Sequence, residues 1–187
     1  YNKNADNFAK TTINVDFYET QNRFSTLLPE RGYILDFGCG SGRDTKYFLE
    51  QGFYVDATDG SEEMCHIASN YTGIQVRRLL FEELDENKKY EGIWACSSIL
   101  HLPKNELKAV FMKMFKALKE DGIIYTSFKY GDFEGERNGR YFTDFTEKTF
   151  EEFVDEIDNL QLKEEWITGD VRPGRGEEKW LNVILQK

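Results

Sequence analysis

The clearest chemical signal in the chain is the run Asp36-Phe37-Gly38-Cys39-Gly40-Ser41-Gly42-Arg43-Asp44. Alternate glycines permit positive φ and carry no Cβ, so a ligand can lie directly against the backbone. A dinucleotide-binding turn wants G-x-G-x-x-G or a small residue at the last place, so that helix and strand pack closely. Here the pattern is G-x-G-x-G, and Arg43 stands at that last place. No G-K-S/T follows, which excludes a loop built to cradle nucleotide phosphates. Asp59 lies 21 residues after Gly38, in Thr58-Asp59-Gly60-Ser61. An acid at that distance can accept both hydroxyls of a ribose. The two features together fit an adenosine-type ligand without a pyrophosphate.

Other reactive side chains are sparse. The histidines are His66 and His101, too few for a His-rich metal site, and no metal is expected. His101 is the candidate general base, and His66 reads as an ordinary helix residue. A basic group stands out at Lys129, Arg137, Arg140, Arg172 and Arg175, against the segment from Asp144 to Glu165 with nine acids and two bases. Arginine forks suit a carboxylate or phosphate. Tyr130, Tyr141 and Phe142 are positioned in sequence to supply aromatic walls.

These residues need elements to hold them. Helical spacing of Phe17, Phe24, Leu27 and Leu28 extends a helical reading over the first 28 residues, ended by Pro29. Alternation of short elements then begins. Tyr33–Phe37 reads as a strand, Arg43–Gln51 as a helix closed by Gly52, and Tyr54–Thr58 as a second strand. Ser61 can cap a helix from Glu62 to about Asn70. Gln75–Leu79 and Gly92–Cys96 are further short strands. Leu107, Val110, Phe111, Met114 and Leu118 form an amphipathic stripe that stops near Gly122, before a β-rich run from Ile123 to Phe128. A last helix carries Phe150, Phe153, Val154 and Ile157, and Leu160–Ile167 and Trp180–Leu185 close the chain as strands. Strands alternating with helices predict an open, doubly wound, mostly parallel sheet covered on both faces. The last two strands, joined without a helix, must be antiparallel neighbours. The glycine loop, between the first strand and the first crossover helix, lies where such sheets bind ligands.

The 187 residues have 40% apolar and 31% charged side chains, a globular balance. Length favours one domain, 1–187. Within it we expect a helical cap at 1–30, a ligand-binding core at 31–128 and a substrate-side loop, helix and hairpin at 129–187. Net charge is −10, which disfavours a partner held mainly through phosphates, so no nucleic acid is expected. The apolar run Ile93–Leu102 is far short of the roughly 20 residues that span a bilayer, so no membrane partner is expected either. Cys39, Cys65 and Cys96 are odd in number and far apart, which points to a reducing, cytoplasmic setting. The sequence opens at Tyr1 rather than Met, which leaves open what precedes it.

Ile34-Leu-Asp-Phe-Gly-Cys-Gly-Ser-Gly42, Val55-Asp-Ala-Thr-Asp59 with Ser61 and Met64, Tyr90-Glu-Gly-Ile-Trp-Ala-Cys96 and Leu100-His-Leu102 together resemble the class I S-adenosylmethionine-dependent methyltransferases. Within these the chain looks most like the small bacterial group related to tellurite-resistance methyltransferases. The resemblance covers roughly Tyr33 to Phe128. It implies an α/β fold: a doubly wound, mostly parallel, seven-stranded Rossmann-like sheet with a C-terminal antiparallel hairpin. It implies S-adenosyl-L-methionine as cofactor. Gly38, Cys39 and Gly40 would line its methionine part, with Asp36 reaching the amino group. Asp59 would hold the ribose, Met64 and Phe81 would flank the adenine, and Cys96-Ser97 would lie below the sulfonium. Asp44, Gly60 and Ser61 complete the implied set. Many relatives carry an acid where this chain has Leu80, so Glu82 or a backbone carbonyl would serve the adenine amine. On the acceptor side the expectation is Lys129, Tyr130, Arg140, Tyr141, Arg172 and Arg175.

The leading function is methylation of a small, anionic molecule by this cofactor. DNA amino-methylases need an Asn- or Asp-Pro-Pro-aromatic loop where Cys96-Ser-Ser-Ile99 stands, and no Pro-Cys pair offers a cytosine nucleophile. The rival functions are methylation of a protein or a nucleic acid, and regulation by a catalytically silent cofactor-binding domain. Calorimetry should register S-adenosylmethionine and its demethylated product with comparable affinity. Tight binding of NAD with no response to S-adenosylmethionine is the contrary result.

Overall fold

The computed structural model describes residues 10–187. The helical reading of residues 1–9 lies outside them. Beyond that point the reading is too generous: a helical stretch ends at Thr12, and the next helix, α1, covers Tyr18–Ser25. Thr12 Oγ1 donates to Ser41 Oγ at 3.1 Å, so this N-terminal segment lies against the glycine loop.

Seven strands form one sheet. They are β1 (Tyr33–Phe37), β2 (Tyr54–Asp59), β3 (Arg77–Arg78), β4 (Tyr90–Ala95), β5 (Leu118–Lys129), β8 (Gln161–Gly169) and β9 (Lys179–Gln186). The order is β3-β2-β1-β4-β5-β9-β8. β1 to β5 are parallel, and β9 runs antiparallel to both its neighbours. The doubly wound sheet with its terminal hairpin is thus as expected. The chain builds outward in one direction through β2 and β3, then returns to β4 beside β1. That reversal opens a crevice between the carboxyl ends of β1 and β4.

The strand alternation sorts side chains onto two faces. Ile34, Trp94, Tyr125 and Ile184 join Phe24 of α1 and Phe48 of α2 (Arg43–Glu50) in one buried cluster. Leu35, Phe37, Ile93, Ile124, Leu181 and Val183 pack the other face. There α4 (Lys104–Ala117) and α5 (Glu147–Val154) cover them with Leu107, Phe111, Phe150 and Phe153. α3 (Glu62–Thr72) is capped as its sequence predicts, with Ser61 Oγ accepting from Met64 N at 3.3 Å.

Several boundaries differ from the sequence reading. β5 starts at Leu118, directly after α4, because Leu118 pairs with Tyr90; a bulge between Tyr90 and Gly92 follows, and Ile123 then pairs with Gly92. The expected strand at 75–79 shrinks to Arg77–Arg78 at the sheet edge, where only β2 offers a partner. One element was missed altogether. β6 (Glu134–Arg137) and β7 (Arg140–Thr143) form a separate antiparallel hairpin. Its two-residue turn is Asn138-Gly139, with φ of 53° and 73°, the pairing that favours a tight hairpin turn.

Among the described residues no helix is long and apolar enough to cross a membrane. The first crossover is anchored by one carboxylate. Asp44 Oδ1 accepts from Gln21 Nε2 at 2.7 Å and Arg43 Nε at 2.8 Å. Its Oδ2 accepts from Arg43 Nη2 and Trp94 Nε1, both at 2.9 Å. Trp94→Phe should remove one donor to this buried charge and lower unfolding stability by about 2 kcal/mol. Urea melts measure it, and an unchanged midpoint would refute the anchoring role.

Candidate functional site

The crevice begins where β1 ends. Gly38, Gly40 and Gly42 have φ of 84°, 55° and 84°, so the loop turns through conformations other residues rarely adopt. Space is also short on its β4 side. A Cβ at Gly38 would come within 2.6 Å of Ser98 Cβ and 3.4 Å of Phe81 Cε1. Ser98 Oγ donates to Phe37 O at 2.8 Å, stitching the segment after β4 to the end of β1. Ser97 has φ of 50°, and its N donates to Ser127 Oγ of β5 at 3.0 Å.

Asp59 closes the crevice from β2. Its Oδ2 accepts from Gly40 N and its Oδ1 from Ser61 N, both at 2.9 Å. Asp59 therefore orders the glycine loop while presenting a carboxylate at the strand end, an acceptor group that suits a vicinal diol. Burial raises its pKa, opposed by the Ser61, Gly40 and Gly60 N–H groups. Gly60 follows, where an added Cβ would stand 3.3 Å from Leu80 Cδ2. Phe81 packs edge-on against Phe37 at 4.9 Å. Met64 is buried, and Glu82 is exposed. The glycine loop, Asp59, Leu80 and Phe81 therefore frame one opening, and Cys96-Ser97 flanks it across the β1–β4 gap.

Asp36 sits beneath the loop, buried, and accepts from Thr45 Oγ1 at 2.5 Å. Burial first, and the charge of Asp44 second, push its pKa up to about 8. Asp36 is thus a proton-bearing group under the loop at neutral pH, and an arriving ammonium would favour its ionised form. Cys39 is pushed upward by burial and by Asp36, and burial then Asp44 push Cys96 to about 12. Neither thiol offers a thiolate nucleophile at neutral pH.

Asp44 is a correction. All four of its lone-pair directions are used by Gln21, Arg43 and Trp94. Burial alone would raise its pKa, but Arg43, with Trp94 and Gln21, outweighs that and holds it low. No acceptor capacity remains for a ligand, so Asp44 is an anchor.

The cation cluster is corrected too. Arg172 turns back within its own loop, its N and Nε donating to Asp170 Oδ1 at 3.0 and 2.9 Å while Nη2 pairs with Oδ2. Against the upward push of burial, this fork holds Asp170 down at about 2. Arg175 Nη1 lies 4.0 Å from Glu178 Oε1, and Lys129 pairs with Glu178. Arg137 Nη2 donates to both oxygens of Asp144 at 2.9 Å. The turn at Pro173-Gly174 does form, with Arg175 N donating to Arg172 O at 3.2 Å. It aims the guanidiniums at acids in the chain, so the arrangement does not carry an anion clamp. The sequence reading counts Asp144 with the acidic bulk of 144–165 and weighs neither Asp170 nor Glu178 as a partner of these cations. Arg140 is exposed at the hairpin turn. Tyr130 donates to Glu147 Oε2 at 2.8 Å, and Tyr141 to Glu134 Oε1 at 3.3 Å.

His101 ends the short 3₁₀ turn Ile99–His101 after β4. Its Nδ1 is 2.8 Å from Tyr141 O, and its ring meets Phe142 edge-on at 4.7 Å. A carbonyl only accepts, so Nδ1 carries the proton and Nε2 the lone pair. Burial lowers the His101 pKa, opposed by the Tyr141 bond and reinforced by Arg140 and Lys129. His66 is exposed on α3. Among the described residues no cluster of His, Cys, Asp and Glu is gathered to hold a metal ion.

Comparison with known proteins gives this geometry a context. Residues 34–122 match the family described as a methyltransferase domain. A Bacillus subtilis (strain 168) protein named as a methyltransferase, YqeM, is 33% identical over 116 residues, 56% of this chain and 47% of that protein. A Geobacillus protein named likewise is 31% identical over 49% of this chain and 40% of its own length. The chain thus spans about half the length of these two curated relatives. Among solved structures, Burkholderia thailandensis 1,6-didemethyltoxoflavin-N1-methyltransferase was crystallised with 1,6-didemethyltoxoflavin and S-adenosylhomocysteine. It is 24% identical with a TM-score of 0.79, over 100% of this chain and 83% of that one. A TehB-like S-adenosylmethionine-dependent methyltransferase from Corynebacterium glutamicum is 20% identical with a TM-score of 0.71, over the full length of both. At these identities the two structures are alike in fold.

The Asp36 environment makes a prediction. A carboxyl whose pKa is raised on folding contributes least at high pH, because the folded state holds a proton that the unfolded state releases. Relative to Asp36→Asn, the parent should lose stability as pH rises from about 4 to about 8, and level off above that. Paired denaturant melts across that range measure it. A flat difference would mean that Asp36 is ionised throughout.

Proposed function

We infer, from a chain whose residues 34–122 match the methyltransferase-domain family, an enzyme that transfers a methyl group from S-adenosylmethionine to a small-molecule acceptor. The observation that carries this reading is the hydrogen bond from Gly40 N to Asp59 Oδ2. It joins the glycine loop and the strand-end acid into one frame, with the carboxylate beside bare backbone.

When bound, S-adenosylmethionine supplies a methyl group on a positively charged sulfur. The chain's residues then have separable tasks. Asp59 would accept from the ribose hydroxyls, and Asp36, once ionised, would hold the ammonium. The bare backbone at Gly38 and Gly40 admits the methionine portion, while Phe81 and Met64 bound the adenine side. Cys96 and Ser97 would lie toward the transferred group. Methyl transfer needs chiefly alignment of the acceptor lone pair. A base matters only when the acceptor arrives protonated. His101 suits that task, neutral through burial and with Nε2 available to take the proton.

Two elements border the carboxyl edge of the sheet beside this opening. The β6–β7 hairpin stands over the carboxyl edge, with Thr143 Oγ1 donating to Leu102 O at 2.7 Å. The loop between β8 and β9 reaches the same edge, where Tyr130 N donates to Lys179 O at 3.0 Å. Arg137 of the hairpin and Arg172 of the β8–β9 loop are each paired with a nearby acid, Asp144 and Asp170, and Glu178 of that loop pairs with Lys129 at the end of β5. A net charge of −10 argues against a nucleic acid as the acceptor's carrier.

A screen of small acceptors with methyl-labelled cofactor tests the reading, scored by label transfer. Asp59→Ala should weaken S-adenosylmethionine by about 2 kcal/mol, roughly thirtyfold. It should also lower the apo melting midpoint, because Gly40 and Ser61 lose their acceptor. Unchanged cofactor affinity in calorimetry would refute the assignment of Asp59.

A further inference from the structure

The β6–β7 hairpin touches the segment after β4 at three polar points. Tyr141 O takes the Nδ1 proton of His101 at 2.8 Å. Thr143 Oγ1 donates to Leu102 O at 2.7 Å, and Glu134 Oε1 accepts from Lys104 N at 3.1 Å. A two-stranded hairpin is marginal without further support, so something must hold it on this segment. The support is Arg137. Its guanidinium lies 4.7 Å from the centre of the Phe133 ring and 4.6 Å from that of Phe142. One nitrogen, Nη2, reaches both oxygens of the buried Asp144 at 2.9 Å. Asp144 N in turn donates to Phe133 O at 2.8 Å. The same Phe142 ring that Arg137 covers lies against His101.

We propose that Arg137 is a positioning residue for His101: packed against the Phe133 and Phe142 rings and bound to Asp144, it holds the Tyr141 carbonyl on Nδ1, and so commits the imidazole to the tautomer whose Nε2 can accept a proton. The role rests on reading His101 as the proton acceptor in methyl transfer. In that step the acceptor–hydrogen bond breaks toward Nε2 and its electron pair stays with the acceptor. The acceptor–methyl bond forms as the sulfur–methyl bond breaks, with that pair going to sulfur. Nδ1 keeps its proton on Tyr141 O throughout.

The charged groups facing the ring are Arg140 on β7 and Lys129 at the end of β5, the latter paired with Glu178. Release of the hairpin would remove both the burial and Arg140, which lower the His101 pKa, along with the Tyr141 bond, which raises it. The lowering influences prevail in the closed arrangement, so release shifts the titration upward.

Two histidines make the test direct. Ring nitrogen-15 spectra of the whole chain, without cofactor or acceptor, report the tautomer and midpoint of His101, and His66 provides the second signal. The parent should show Nδ1 protonated and Nε2 bare. In Arg137→Met the two His101 nitrogen shifts should draw together, and its midpoint should rise by about half a unit or more. Arg137→Lys should stay close to the parent, since a single nitrogen can bridge both Asp144 oxygens. Asp144→Asn, which keeps side-chain volume while removing the charge, should move His101 in the same direction as Arg137→Met and answers for that variant if it does not fold. A parent with Nε2 protonated or with mixed tautomers overturns the proposal. So does either Arg137→Met or Asp144→Asn, folded, with the parent's His101 spectrum. Because no ligand is present, failure here is distinct from failure of the methyl-transfer reading, which the label screen decides.

Discussion

One buried carboxylate underlies the arrangement of the glycine loop. Asp44 stands at the start of α2 and gathers Gln21 from α1, Arg43 from its own helix and Trp94 from β4. An unpaired charge at that depth would cost several kcal/mol. With four donors the charge is stable only while all three elements keep their relative positions. Arg43 completes the arrangement, its guanidinium lying 4.7 Å from the Phe17 ring centre and Trp94 stacking on Tyr125 at 4.0 Å. The loop between Gly38 and Gly42 is therefore suspended between a strand end and a helix whose mutual position is already decided. Its glycines can then turn without having to hold the fold together.

The same carboxylate shapes the chemistry above it. Asp44 keeps its charge, and that charge helps to push the neighbouring Asp36 up to about 8. Two acids nine-tenths or more buried, one ionised and one protonated at neutral pH, thus lie in adjacent positions under one loop. Environment rather than residue type distinguishes them: four donors reach Asp44, whereas the Thr45 hydroxyl is the side-chain donor to Asp36. Asp59 is the intermediate case, reached by backbone N–H groups and, among the described residues, by no cation.

On the acceptor side the chain follows another logic. Its basic residues do not stand as a field awaiting an anion. Asp144, Asp170 and Glu178 neutralise them locally and convert them into fasteners for the hairpin and the β8–β9 loop. Such pairs add little stability where solvent reaches them, but Asp144 and Asp170 are buried, where leaving an acid unpaired would be costly. Positive charge here fastens the hairpin and the β8–β9 loop.

Much of this was legible in one dimension because it depends on local periodicity and backbone conformation. The alternation of strands and helices, the glycine spacing, the distance to Asp59 and the Ser61 cap are all short-range facts, and each has its counterpart in the fold. The β6–β7 hairpin was legible too, in Asn138-Gly139, though flanking Gly135 and alternating charges hid its strands. What sequence alone could not decide is which charge meets which. Asp44 reads as a loop-end ligand until Gln21 and Trp94, 23 and 50 residues away, arrive on it. Arg172 and Arg175 read as paired forks until the turn aims them at Asp170 and Glu178. Spacing along a chain specifies the periodicity of a helix or strand, whereas the partner of a long charged side chain is chosen by three-dimensional proximity and the cost of leaving a buried charge alone. That choice was made only when the sheet closed.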